Sequence, residues 1–261
     1  MAYHFPFGQE VRPVVQQNRT PKKVFVLGVY ASAVHARWKQ SGKMICQALA
    51  VASEPEIFWN GKEEKAREII SKINIPEGAG TLEPAAGKFN GPSANALDEH
   101  ILAPLGYTRS DAWLCDLLPE TRLNSNQLVA VDKYNKFREQ NKQYGLNEVD
   151  IPKRPNIFCD QKRCEEILEE LRESQAEKLV LLGDIPFRQF LRKVASVKDK
   201  SLKEYVGNGY KKYGEPFEIT IGNRIIEVIP LAHPRQIGAL GAHNKDWYEA
   251  HQKWEKSRLK K

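Results

Sequence analysis

His233 stands directly before Pro234, at the end of the apolar run Ile229-Pro230-Leu231-Ala232. A residue that precedes proline is pushed out of the helical region, so this imidazole is held on extended backbone where a strand ends. There it can donate to an oxygen that gains charge in a transition state; a packed loop histidine is the plainer reading. Arg235, two residues on, suits a phosphate or a surface ion pair. Ser32 and His35 form a second candidate pair, a nucleophile and its base. Three apart in a loop or first helical turn, with no orienting acid nearby, they read better as a helix cap and a surface histidine than as a triad.

Thiols are the other reactive groups. Four cysteines, Cys46, Cys115, Cys159 and Cys164, are too few for a disulfide scaffold. No two of them share the short C-x2-C spacing of cluster ligands. Four free thiols are expected, with no metal, no iron–sulfur cluster and no cofactor.

Side chains of this kind need elements to position them. The stretch Lys22 to Tyr30 is short, apolar, rich in β-branched residues and interrupted by Gly28, which predicts a buried parallel strand. Residues 47–53, 111–119 and 178–183 read as further strands, the last two ending at Pro119 and Gly183. Residues 217–231 read as two strands about a Gly222-Asn223 turn. Helical spacing marks 63–74, 93–105, 161–174, 186–194 and 244–257. In the last of these, Trp247, His251 and Trp254 share a face that suits core packing. Residues 75–92, with three prolines and four glycines, predict a long loop.

Residues 1–21 hold Pro6, Pro13 and Pro21 without a clear period and read as a surface extension; 22–261 then form a single domain with insertions near 129–158 and 195–214. Short apolar strands alternating with helices predict a three-layer α/β/α sandwich around a mainly parallel, four-stranded sheet. Working residues in such sheets sit at the carboxyl ends of the strands. That rule selects Gly28 to Ser32, Asp116 to Arg122, Gly183 to Pro186, and Leu231 to Gln236.

The chain of 261 residues is 41% hydrophobic and 28% charged, ordinary globular composition. That excludes a disordered chain, a collagen and a membrane bundle. The longest nearly apolar run, Val24 to Val34, is far short of a bilayer span. The start MAYHFPFGQEVRP lacks a basic region followed by an apolar one, so a cytoplasmic protein, off the membrane and monomeric, is expected. The net charge is +7, which favours polyanionic partners. Basic residues concentrate between Arg188 and Lys212, eight against two acids, and between Lys245 and Lys261, six against three. Both runs read as solvated surface unless a polyanion tracks them.

The strand ends, taken in order, resemble the uracil-DNA glycosylase superfamily. The matching stretches are Val26-Leu27-Gly28-Val29-Tyr30-Ala31, Lys88-Phe89-Asn90-Gly91-Pro92-Ser93, Trp113-Leu114-Cys115-Asp116-Leu117-Leu118-Pro119, Leu181-Leu182-Gly183 and Leu231-Ala232-His233-Pro234. The match as a whole runs from about residue 22 to 255; each stretch is weak alone, and the order makes the set moderately specific. The resemblance implies the superfamily's fold, DNA as partner, and a pocket for a base flipped out of the duplex. It implies that Phe89, beside Asn90, stacks on the base and that the loop Gly28, Val29, Tyr30, Ala31 and Ser32 holds the attacking water. Asp116 would read the base edge. His233 would stabilise the departing base, with Arg235 and Gln236 in a loop entering the groove and Arg188, Lys198, Lys200 and Lys203 along the phosphates.

Two departures stand out. Tyr30 occupies the place where many members carry a water-positioning Asp or Asn. Asp116 occupies a place commonly held by Asn; when ionised it only accepts hydrogen bonds and suits an amino-bearing base better than uracil. An inactive binding protein on the same fold is the alternative, and a small-molecule hydrolase using Ser32 and His35 a third reading.

Overall fold

The computed structural model describes residues 2–237 and 244–259. Gly238, which the expected groove loop includes, lies outside the described residues, as do the last two lysines of the basic tail. The strands are β1 (Val24–Tyr30), β2 (Ala33–Gln40), β3 (Lys43–Ser53), β4 (Thr81–Pro84), β5 (Ala112–Leu118), β6 (Lys178–Leu182), β7 (Phe217–Ile221) and β8 (Arg224–Leu231). The longer helices are α1 (Glu63–Ser71), α2 (Pro92–Leu97), α3 (Ser125–Gln140) and α4 (Gln161–Ser174). Short turns α5 (Asp184–Pro186), α6 (Arg192–Val194), α7 (Leu202–Val206) and α8 (Pro234–Ile237) precede the closing helix α9 (Lys245–Arg258). Among the described residues no helix is long and apolar enough to cross a membrane.

The chain divides into two compact units. The first gathers Met1–Val14, Tyr30–Pro92 and Pro119–Pro155; the second gathers Val15–Val29, Ser93–Leu118 and Asn156–Lys261.

Unit 2 holds a five-stranded, mainly parallel sheet in the order β5-β1-β6-β8-β7. β1 runs parallel to β6 and β6 parallel to β8, with Leu27 beside Leu181 and Leu182 beside Leu231. Five strands, not the expected four, make the sheet. The turn at Gly222 and Asn223 folds β7 back antiparallel on β8, pairing Ile221 with Arg224, so the hairpin's first strand becomes the edge. The central strands are continuous apolar runs because they are buried: Val24 to Leu27 and Leu179 to Leu182 are sealed from solvent. Phe25 stacks on Trp113 with ring centroids 6.4 Å apart.

Unit 1 is built around a second sheet, antiparallel, in the order β3-β2-β4. The segment expected as loop or first helical turn after Ser32 is its central strand. Ser41 and Gly42, at φ 49° and 77°, form the two-residue turn that joins β2 to β3, a geometry with both centres left-handed. Residues 47–53 are the far end of β3. The expected insertion at 129–158 begins inside α3, which starts earlier, where Asn124 and Gln127 cap each other's backbone amides.

The N-terminal segment lies on the surface only in part: 15–21 are largely exposed, while Phe5, Phe7, Val11 and Val14 are buried. Phe7 packs edge-on against Trp38 and Tyr134 at 5.5 and 5.2 Å. Phe5 and Val11 join a second cluster with Ala33, Ala50 and Ile151. An aperiodic stretch can still bury its few large apolar side chains.

Candidate functional site

β1, β6 and β8 run the same way, so their carboxyl ends share one rim of the unit 2 sheet, next to the end of β5. That rim carries Gly28, Val29, Asp116, Gly183 and His233.

His233 is held by a helix cap written in its own sequence. It precedes α8, with Pro234 at the first helical position, where a missing N–H costs nothing. The imidazole Nδ1 accepts the Arg235 backbone N–H at 3.1 Å, and Gln236 Oε1 accepts the His233 backbone N–H at 3.2 Å. This is the reciprocal capping-box pattern with histidine as the cap. Because Nδ1 accepts, the ring proton sits on Nε2, and Nε2–H is the group His233 has to donate. Gly183 lets the loop approach: at φ 95°, a Cβ there would meet the His233 Cβ at 3.1 Å. Gly183 N–H also donates to Leu231 O at 2.8 Å.

A buried relay supports the same strand end. Tyr213 Oη accepts the Ala232 N–H at 2.9 Å and donates to His251 Nδ1 at 2.7 Å. His251 Nε2 donates to His100 O at 2.8 Å. Burial holds His251 down to about 4, so it stays neutral. On α9, His251 and Trp254 are core, while Trp247, expected on the same buried face, is half-buried.

Asp116 is 5% exposed on β5. Desolvation raises its carboxyl to about 7, against the opposing pull of the Arg163 charge and a hydrogen bond from the Val29 N–H. The carboxyl is therefore protonated through the mildly acidic range. A neutral carboxylic acid donates and accepts, as an Asn side chain does. The expectation of an acceptor-only Asp116 holds only above about pH 7.

Arg163, from α4, is the residue that sequence reasoning passed over. Its guanidinium donates to Leu117 O at 3.1 Å, to Asp116 O at 2.8 Å and to Cys115 Sγ at 3.3 Å. It also meets Glu170 at 3.3 Å and Glu166 at 3.1 Å. Glu170 in turn accepts the Trp113 indole N–H at 3.1 Å. The backbone at the end of β5 is thus fixed by a half-buried cation.

The remaining candidates belong to unit 1 and are occupied locally. The Arg154 guanidinium lies 5.5 Å from the Tyr30 ring centroid, and Lys88 Nζ 5.1 Å from that of Phe89. Asn90 is buried and acts as a substitute strand neighbour. Its Oδ1 accepts the His35 N–H at 2.8 Å and its Nδ2 donates to His35 O at 3.0 Å. Ala31 is buried and Ser32 exposed. Ser32 O accepts the Thr121 hydroxyl at 2.7 Å. His35, expected at the surface, is 7% exposed on β2. The Asn124 N–H donates to Gln127 Oε1 at 2.9 Å, which turns the Gln127 amide nitrogen onto His35 Nε2 at 3.0 Å. Burial holds this imidazole down to about 4. Sealed and neutral, with Nε2 engaged, it is no base for Ser32.

Lys198, Lys200, Lys203 and Arg235 are exposed, Gln236 is half-buried, and Arg188 pairs with Asp184 at 3.5 Å. A cavity of 770 Å³ opens in unit 2 beside Tyr213, Gly214, Trp254 and Arg258, and none of the rim residues lines it. Among the described residues no group of three or more His, Cys, Asp or Glu gathers as metal ligands would.

No family model matches the chain, and no curated protein matches it.

Proposed function

We propose that the chain is a DNA glycosylase-like hydrolase on a three-layer α/β/α frame, cleaving the N-glycosidic bond of a deaminated or damaged base turned out of DNA. The observation that carries this reading is the pairing on one rim of an oriented donor and a buried, titrating carboxyl. His233 carries its ring proton on Nε2, and Asp116 sits at the end of β5 with its proton affinity raised. Breaking the bond to C1′ leaves the pair of electrons on the base. A positioned N–H stabilises the charge on the base oxygen, and water adds to C1′ as its proton passes to solvent. Below about pH 7 the Asp116 carboxyl complements uracil, donating to O4 and accepting from N3–H. Above it, the carboxylate favours a base bearing an amino group at that edge. The exposed lysines Lys198, Lys200 and Lys203 support a polyanionic partner.

The test is single-turnover base release from oligonucleotides carrying uracil, hypoxanthine, xanthine or a mismatched adenine, the last supplying the amino-bearing base, at pH 6 and pH 8. Uracil release is expected to fall from pH 6 to pH 8 relative to release of an amino-bearing base. A pH-independent preference sinks the role of Asp116, and no release from any substrate sinks the enzyme. A second reading, a DNA or nucleobase binder without catalysis, is favoured by Tyr30, whose ring faces Arg154 where a water-activating carboxylate would stand. Tight binding without release would select it.

A further inference from the structure

Helix α4 opens on two thiols. Asp160 caps it, its Oδ1 accepting the Arg163 N–H at 2.8 Å. Cys159 precedes the cap and Cys164 follows four positions into the helix. These are the places where an apolar pair commonly staples the incoming chain to the first turn. Here the staple is two sulfurs, with Sγ atoms 2.8 Å apart and the residues 0% and 2% exposed. An ordinary apolar contact would keep heavy atoms at about 3.5–4.0 Å. Both side chains already point at each other across one turn, so closing to a bond needs only a small adjustment. Lys193 Nζ donates to Cys159 O, and the Phe158 N–H donates to Gln189 Oε1 at 2.6 Å, so the incoming segment is anchored on both sides. The other two cysteines have different surroundings: Cys115 lies under Arg163 on β5, and Cys46 belongs to unit 1.

We propose that Cys159 and Cys164 are a thiol–disulfide exchange site that closes to an intramolecular disulfide with a small disulfide, such as oxidised glutathione, as oxidant. One protein thiolate attacks a sulfur of oxidised glutathione, expels one glutathione thiolate and leaves a mixed disulfide. The second protein thiolate attacks the protein-side sulfur, forms the Cys159–Cys164 bond and expels the second glutathione. Two protein thiols lose two protons and two electrons, and the glutathione disulfide gains them as two thiols. The closed form ties the segment before α4 to the turn that follows Arg163, the residue that fixes the end of β5. Burial and the neighbouring sulfur push the Cys159 thiol well up. Exchange therefore proceeds through local opening of the first turn and speeds up as pH rises.

The experiment uses the full chain. It is incubated with oxidised glutathione at pH 8, quenched in acid, denatured and alkylated. Two of the four cysteines should resist alkylation, and before alkylation the intact mass should be lower than that of the reduced chain by about 2 Da. Lys162 and Arg163 lie between the two thiols, so trypsin separates them. A linked peptide pair that falls apart on reduction then identifies the bond. The Cys46→Ser, Cys115→Ser double variant should give the same product, and Cys159→Ser or Cys164→Ser should abolish it. Four alkylated cysteines after prolonged incubation, a link through Cys46 or Cys115, or a glutathione adduct that never resolves each overturns the proposal. None of these readouts depends on base release, so the site stands or falls apart from the glycosylase reading.

Discussion

Two histidines, one in each unit, are held by their neighbours in opposite tautomers. On β2, the Gln127 amide donates to His35 Nε2, and Asn90 takes both backbone groups of the same residue. At the end of β8, a backbone N–H donates to His233 Nδ1, leaving the proton on Nε2. The first ring is sealed inside an antiparallel sheet; the second is half-buried on a parallel rim. The difference lies less in the imidazole than in what commits its nitrogens. In unit 1 a carboxamide turns the ring into a structural acceptor. In unit 2 a cap uses one nitrogen to orient the ring and puts the ring proton on the other.

The sharpest way to break this contrast is to remove each ring in turn. His233→Ala should lower base release by about 100- to 1,000-fold, the usual cost of one oxyanion-type donor. Its thermal midpoint should fall only as far as the loss of one helix cap requires, about 0.5–2 kcal/mol of stability. His35→Ala should do the reverse. It empties a buried site and strands the Gln127 amide, costing about 2–4 kcal/mol of stability. The release rate of the folded fraction should stay unchanged. Loss of release in His35→Ala at unaltered stability would erase the distinction.

Acid titration sharpens the contrast further. His35 is neutral when folded down to about pH 4, against an ordinary value of 6.5. Between those values the unfolded chain takes up a proton first. Stability is therefore full above about pH 6.5 and is lost as pH falls toward 4, by about 1.4 kcal/mol per pH unit. His251 in unit 2 acts in the same direction. Asp116 opposes it. With a folded value of about 7 against 3.8, its folded form keeps the proton longer, so its contribution declines as pH rises between those limits. Asp116→Asn should accordingly raise stability more at pH 7.5 than at pH 4.5, measured by urea unfolding at each pH. An equal gain at both values would mean that the carboxyl is not proton-bound in the folded chain.

Legibility followed the range of the interactions. The runs ending at Gly28 and Gly183 announce buried parallel strands because Val24 to Leu27 and Leu179 to Leu182 are apolar throughout, and they are neighbours in the sheet. β2 was hidden. Its buried residues, including His35 and Trp38, do not alternate with exposed ones, and the Ser41-Gly42 turn was the signal that could have marked its end. The cap on His233 is spelled out locally, with proline next and glutamine at the third position. Arg163 left no local trace, since it reaches from α4 to a strand 46 to 48 positions earlier. The raised proton affinity of Asp116 comes from desolvation, which no spacing encodes.

The smallest expected effect concerns how the rim finds its substrate. Lys198, Lys200 and Lys203 are exposed around the start of α7, where Ser201 caps the helix by accepting the Glu204 N–H at 3.2 Å. Arg188 has a carboxylate partner in Asp184, so releasing it to a phosphate gains less. If the three lysines each neutralise a phosphate, replacing all three by glutamine should flatten the plot of log affinity against log salt by about 0.9 per lost contact. Arg188→Gln should change it less. Because such contacts carry no base information, the order of preference among uracil, hypoxanthine and xanthine should survive the triple change. An unaltered salt slope returns these lysines to plain solvated surface. A changed base preference would mean that they act at the rim itself, and the division of labour between an attracting surface and a reading site in unit 2 would have to be given up.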